Sequence, residues 1–246
     1  MTPPPPLSCR HALFLDFDGT LVDIAETPEG IRVPEGLGAL LTRVADRLDG
    51  ALAVVSGRPL SDIDALLKPL RLPAAGLHGL EHRATIGAAV ERVAPPPELD
   101  ILRRRIDAAG LIGEGVRLED KGLAIAIHYR RAPERGPALA AALTKACADL
   151  SGLHMLHGKM VLEIKSQGHD KGVAVTTFLN EPVFAGRVPV FVGDDVTDED
   201  GFRAVLSAGG FAVKVGAGET AAAHRLADVA AVHAWLDAFA AARACA

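Results

Sequence analysis

Short apolar runs recur along this chain, and most stop on a polar or glycine-containing turn. Ala12-Leu13-Phe14-Leu15 gives way at once to Asp16-Phe17-Asp18-Gly19-Thr20. Ala51 to Val55 ends on Ser56-Gly57-Arg58, and Val188 to Val192 ends on Gly193-Asp194-Asp195. Continuous apolar runs of this length suit strands covered on both faces. Between them the spacing turns helical. Leu37, Leu40, Leu41, Val44 and Leu48 follow Pro34 and stop at Gly50, and Ile63, Leu66 and Leu67 follow Pro59 at a first helical position. Val22 to Pro28 reads as an irregular loop. A short strand around Ala75 to Leu77 ends on His78-Gly79-Leu80-Glu81. This alternation predicts an α/β fold with a doubly wound parallel sheet.

The rhythm then changes. Thr85 to Val93 reads as a hairpin-like pair of short strands, and Pro95-Pro96-Pro97 is the clearest break. Beyond it the pattern predicts a helix (Leu99 to Ala109), strands (Val116 to Glu119, Ala124 to Tyr129), a helix (Gly136 to Leu150) and two strands (His154 to Leu156, Val161 to Ile164). Helix–strand–strand, repeated, indicates an α+β layer with helices on one face of an antiparallel sheet. From about Gln167 the first pattern resumes. His169-Asp170-Lys171-Gly172 caps a helix through Val175 and Phe178, and another helix carries Phe202 and Leu206. Phe211 to Val215 is a strand, and Val232, Trp235, Leu236 and Phe239 mark a closing amphipathic helix. The expected organisation is a catalytic core of residues 1–94 and 167–246, interrupted by an inserted domain of residues 95–166.

Composition narrows the partners. Hydrophobic content of 49% and charged content of 23% are ordinary for a globular protein. A net charge of -5 and 4% aromatics argue against a basic or base-stacking nucleic-acid surface. Cys9, Cys147 and Cys245 are far apart and odd in number, so neither a disulfide framework nor a zinc site is indicated. A reducing cytoplasm is the expected compartment. No run is long enough to span a bilayer, and Met1 to Pro6 has no apolar signal core. The expected partner is a small molecule, with no nucleic acid or membrane, and the chain itself a monomer or small homo-oligomer.

The chemistry gathers at the strand ends. Asp16 and Asp18 stand at i and i+2 of an extended segment and share a face. Two carboxylates so close repel, and burying them unpaired is costly, so a divalent metal is the simplest partner. Ligands of such sheets bind at the carboxyl ends of the strands. Ser56, Lys171, Asp194 and Asp195 occupy equivalent strand ends or helix starts. Singly, each has a plain structural reading: a helix cap, a solvated lysine, a turn. Together in one sheet they point to a site.

These residue types suit phosphoryl transfer. A carboxylate nucleophile forms an aspartyl phosphate, and positive charge must surround the equatorial oxygens. Lys171 and a metal supply that charge, while Ser56 and loop amides donate hydrogen bonds. Mg²⁺ suits an all-oxygen site formed by Asp16, the Asp18 carbonyl and Asp194. The Asp18 side chain is then free for general acid–base work.

At these positions the chain resembles the haloacid dehalogenase superfamily of phosphatases. Asp16-Phe17-Asp18-Gly19-Thr20 matches its first motif, Ser56 its second, Lys171 its third, and Asp194-Asp195 with Asp198 its fourth. The resemblance implies Asp16 as nucleophile, Asp18 as general acid/base and Mg²⁺ as cofactor, with Asp195 and Asp198 behind the metal ligands. It also implies a Rossmann-like core with a mobile cap inserted between the second and third motifs.

A narrower likeness lies in Ser56-Gly57-Arg58, Gly76-Leu77-His78-Gly79-Leu80-Glu81, Glu119-Asp120-Lys121-Gly122, His128-Tyr129-Arg130, Gly158-Lys159-Met160-Val161-Leu162-Glu163 and Gly193 to Glu199. These stretches are similar to the trehalose-6-phosphate phosphatases. In that family the residues matching Glu119, Lys121, Arg130, Lys159 and Glu163 hold the disaccharide. Arg58, His78 and Glu81 are further substrate-side candidates, the last two able instead to order the hinge. Glu119/Lys121 and Lys159/Glu163 also have a plain reading as charge pairs on a solvated sheet face. The function implied is Mg²⁺-dependent hydrolysis of trehalose 6-phosphate. Alternatives are a capped phosphatase for sucrose 6-phosphate or mannosyl-phosphoglycerate, a phosphomutase, and a non-catalytic sugar-phosphate sensor. The intact Asp16, Asp18 and Lys171 count against the sensor.

Overall fold

The computed structural model describes residues 2–25, 30–158 and 160–242. The chain forms two compact units. One takes the chain up to Arg92 and again from His169, and the other is Val93–Gly168. In chain order the first unit holds β1 (His11–Leu15), α1 (Leu37–Arg47), β2 (Leu52–Val55), α2 (Leu60–Leu66), β3 (Ala74–Gly76), β4 (Glu81–Arg83) and β5 (Glu91–Arg92). The second holds α3 (Glu98–Ala108), β6 (Arg117–Asp120), β7 (Ala124–His128), α4 (Gly136–Cys147), β8 (Leu153–Gly158) and β9 (Val161–Ser166). The chain then returns to the first unit with α5 (Lys171–Leu179), β10 (Val188–Gly193), α6 (Asp198–Ser207), β11 (Phe211–Val215), β12 (His224–Leu226) and α7 (Val229–Ala241).

The strands of the first unit lie in the order β12-β11-β10-β1-β2-β3-β4-β5. Pairing is parallel from β12 to β3 and antiparallel at β4 and β5. Phe14 of β1 and Phe191 of β10 are register partners and so share a face. Phe14 meets Phe178 of α5 with ring centroids 5.9 Å apart, and Phe191 meets Phe202 of α6 at 5.7 Å. That face is therefore covered by α5 and α6, which also pack on each other. Leu13, Leu15, Val190 and Val192 alternate with these residues and are equally buried, so the opposite face is covered too. This double cover is why the strands read as unbroken apolar runs.

In the second unit the antiparallel sheet runs β6-β7-β9-β8. Ile125, Ile127, Leu162 and Ile164 pack with Leu99, Leu102 and Ile106 of α3 and Leu139 and Leu143 of α4. Glu119, Ala126 and Glu163 are register partners in one row across the sheet.

The structure departs from the sequence pattern in four places. The antiparallel pair expected within Thr85 to Val93 is instead β4 with β5, and its first strand lies upstream at Glu81–Arg83. That strand is charged: Glu81 and Arg83 are held by polar partners, while the His82 ring packs on Phe178 with centroids 4.4 Å apart. Arg83 is 1% exposed and its guanidinium grips both oxygens of Asp64 at 2.8 and 2.7 Å. β12 has no apolar run and gave no strand signal. Pro59 is the N-cap of α2, one residue before the first helical position. Cys9 is disulfide-bonded, where the spacing indicated no disulfide framework, while Cys147 is a free thiol. Among the described residues no helix is long and apolar enough to cross a membrane.

Candidate active site

β1 and β10 are parallel neighbours at the point where the strand order reverses, which is where open α/β sheets bind ligands. Asp16 follows β1 and continues the parity of Phe14, so it leaves the sheet on the side of α5 and α6. The starts of those helices supply its partners. Lys171, the first residue of α5, donates from Nζ to Asp16 Oδ1 at 2.6 Å and to Asp198 Oδ1, at the start of α6, also at 2.6 Å. All three are buried, at 4%, 3% and 0% exposure for Asp16, Lys171 and Asp198. A helix N-terminus favours anions, so a lysine there is held by its carboxylate partners and not by the helix.

Carboxylate oxygens of Asp16, Asp194 and Asp198 lie within 4.8 Å of one another. Burial, with Asp198 next, pushes the Asp16 carboxyl well above the usual carboxylate range, and Lys171 only partly offsets this. Burial alone would lower the Lys171 ammonium, but Asp16 and Asp198 outweigh it and hold the lysine above its ordinary value. Asp198 also accepts the Asp195 amide at 2.9 Å, which fixes the turn into α6. Gly19 makes the close approach possible. Its φ is 82°, and a Cβ there would lie 2.4 Å from the Asp194 carboxylate.

The Asp18 side chain takes no part in that cluster. Arg58 grips it bidentately, Nε to Oδ2 at 2.6 Å and Nη2 to Oδ1 at 2.8 Å. Ser56 is 1% exposed and its Oγ accepts the Arg58 amide at 3.1 Å, leaving the hydroxyl proton to donate elsewhere. The segment after β3 braces this loop. Leu77 and His78 both have positive φ, 49° and 56°, a conformation rare outside glycine. Their amides donate to the carbonyls of Arg58 and Ser56, each at 3.0 Å. A Cβ on Gly57 would sit 2.7 Å from His78 Nε2, so only glycine fits beneath that imidazole. Glu81 accepts the Leu60 amide at the start of α2 at 2.6 Å and Arg92 Nε at 2.8 Å. One of its oxygens thus orders the start of the helix after Ser56, and the other takes an arginine of β5.

In the second unit Glu119 meets His128 Nε2 at 2.7 Å, and Lys121 Nζ donates to Glu163 Oε1 at 3.0 Å. The His128 hydrogen bond, with Lys121 beside it, holds the Glu119 carboxyl below its ordinary value despite burial. Arg130 is exposed in the turn after β7. Lys159 lies outside the described residues.

A sequence model of the family described as trehalose-phosphatase matches residues 14–231, a span that takes in both units. The chain belongs to the trehalose-phosphatase family. It is 41% identical over 239 residues to the trehalose-6-phosphate phosphatase of Escherichia coli strain K12, covering 96% of this chain and 89% of that protein. It is 46% identical over 209 residues to a probable trehalose-phosphate phosphatase of Sinorhizobium fredii, covering 83% and 77%. Among solved structures it is similar to a trehalose-6-phosphate phosphatase related protein, with 28% identity and a TM-score of 0.76 over 93% of this chain and 96% of that one.

The donor set of this trehalose-phosphatase family member fits a hard divalent cation. Three carboxylates cluster there, Lys171 donates to two of them, and oxygen donors are what Mg²⁺ takes. Two residues escaped the sequence reading of the site. His128 stood in a quoted stretch but its hold on Glu119 needed the sheet register to be seen. Lys214 sat inside an apolar strand pattern. It is 4% exposed and its Nζ donates to the Asp194 carbonyl.

Proposed function

We propose that this chain is a Mg²⁺-dependent phosphatase that hydrolyses trehalose 6-phosphate to trehalose and phosphate through an aspartyl phosphate on Asp16. The buried bridge of Lys171 between Asp16 and Asp198, beside Asp194, carries the reading. A carboxylate fixed at Oδ1 presents its other oxygen in one orientation, as in-line attack requires. Asp16 attacks phosphorus, and the bond from phosphorus to the sugar oxygen breaks. Asp18 gives the leaving oxygen its proton, then takes one from the water that cleaves the aspartyl phosphate and restores Asp16. Both Asp18 oxygens are on Arg58 here, so that pair opens before Asp18 can deliver a proton. Lys171 and the Ser56 hydroxyl hold the equatorial oxygens. Mg²⁺, held by Asp16, the Asp18 carbonyl and Asp194 when bound, supplies positive charge to the transferring phosphoryl group.

Asp18→Asn tests this assignment of roles. General acid–base catalysis is typically worth about 10²–10⁴-fold, and a sugar alkoxide needs protonation more than an aryl oxide does. The variant should therefore lose more activity on trehalose 6-phosphate than on an aryl phosphate. Equal losses, with chemistry limiting both rates, would remove Asp18 as the leaving-group acid.

Sugar recognition falls to the second unit in this reading, through Glu119, Lys121, Arg130, Lys159 and Glu163. Glucose rings offer hydroxyls and no charge, and charged side chains bind hydroxyls directionally. A hydrogen bond involving a charged group is worth about 1.5–3 kcal/mol, or roughly ten- to 150-fold in kcat/KM. Glu163→Ala should cost that factor on trehalose 6-phosphate and little on an aryl phosphate, which lacks the hydroxyls. Parallel losses on both substrates would assign Glu163 to catalysis or folding, and no loss on either would remove it from sugar recognition.

A further inference from the structure

The strand β11 is apolar except at Lys214, and the flanking Val213 and Val215 are buried. Packing alone calls for another aliphatic residue here. Burying an ammonium is costly unless it is hydrogen-bonded, so its partner matters. The Cα partner of Lys214 across the sheet is Gly193, the last residue of β10. The next peptide carries Asp194, and Lys214 Nζ donates to its backbone carbonyl. Asp194 is also the residue whose carboxylate lies against Gly19 and joins Asp16 and Asp198 within 4.8 Å.

The choice of partner separates two jobs. Lys171 takes oxygens of Asp16 and Asp198 directly. Lys214 takes the backbone carbonyl of Asp194 instead. Holding that carbonyl fixes the peptide on which the Asp194 side chain stands, at the point where β10 leaves the sheet. We propose that Lys214 is a positioning residue that pre-orders the Asp194 carboxylate for the divalent cation. The proposal rests on the metal reading above and adds a residue that acts through the Asp194 backbone.

The test is Mg²⁺ binding by the metal-stripped full chain, read by calorimetry and by melting temperature across a MgCl₂ series. Wild type, Lys214→Met and Lys214→Arg are compared. Lys214→Met keeps the apolar stem and removes the donor. Its Mg²⁺ midpoint should rise about tenfold or more, as for loss of one hydrogen bond from a charged group. Lys214→Arg keeps a donor and should recover much of the wild-type midpoint. A folded Lys214→Met that melts lower but binds Mg²⁺ with the wild-type midpoint would overturn the proposal and leave Lys214 a structural residue. If Lys214→Met does not fold, Lys214→Gln, which retains a neutral donor, is measured instead. Gln is uncharged and one bond shorter, so its midpoint should still rise, and a folded Lys214→Gln with the wild-type midpoint would likewise overturn the proposal. A wild-type chain that does not respond to Mg²⁺ at all would overturn the metal reading itself.

Discussion

Asp16→Asn should reduce phosphate release to background and still yield a folded protein. An amide is no nucleophile toward phosphorus, and it contributes no charge to a cation site. Its oxygen can still accept from Lys171, so the local geometry has a neutral substitute. Stability should not suffer, and the sign follows from the environment of Asp16. Burial first, then Asp198, raises its folded-state pKa above the unfolded value of about 3.9. A raised carboxyl favours folding fully below the unfolded pKa, and that contribution is lost as pH rises through the folded value. Above the unfolded value, without metal, the Asp16 carboxyl is therefore a cost that asparagine removes. Metal-free Asp16→Asn should melt no lower than wild type at pH 7 and vary less with pH. Appreciable Mg²⁺-dependent turnover by the folded variant would reject Asp16 as nucleophile.

Lys171→Met should do the opposite to stability while also ending turnover. Removing the ammonium leaves Asp16 and Asp198 buried without their shared donor, beside Asp194. Breaking a buried pair by deleting one partner costs about 3–5 kcal/mol, because a charge remains uncompensated. The loss should appear in urea unfolding of the metal-stripped protein and shrink when Mg²⁺ is added, since a cation relieves the same repulsion. A variant within about 0.5 kcal/mol of wild type, the range of ordinary surface substitutions, would show that Lys171 is not holding the cluster. Two substitutions 155 residues apart in sequence thus test one contact from both sides.

The central strands were legible because burial on both faces leaves no polar alternation to confuse the pattern. β4 was not, since Glu81 and Arg83 are held by specific polar partners and His82 packs on a ring distant in sequence, and hydrophobic spacing is blind to both. The same limit hid Lys214, whose meaning depends on the strand beside it. Asp16, Asp18 and Asp194 could be read at strand ends from sequence alone. The bidentate grip of Arg58 on Asp18 could not, because it depends on rotamers across 40 residues of separation. Glu81 was readable from its stretch either as a substrate contact or as a residue ordering the hinge, and only the fold supplies its partners, the Leu60 amide and Arg92. The disulfide at Cys9 was illegible because pairing is set by distance and direction in the fold, not by spacing.

The most direct measurement is phosphate release from trehalose 6-phosphate by the purified chain, with sucrose 6-phosphate and an aryl phosphate alongside, in Mg²⁺ and in chelator. Trehalose 6-phosphate should give the highest kcat/KM, chelator should stop its hydrolysis, and added Mg²⁺ should restore it. No release from trehalose 6-phosphate, or release undiminished in chelator, would contradict a Mg²⁺-dependent trehalose-6-phosphate phosphatase.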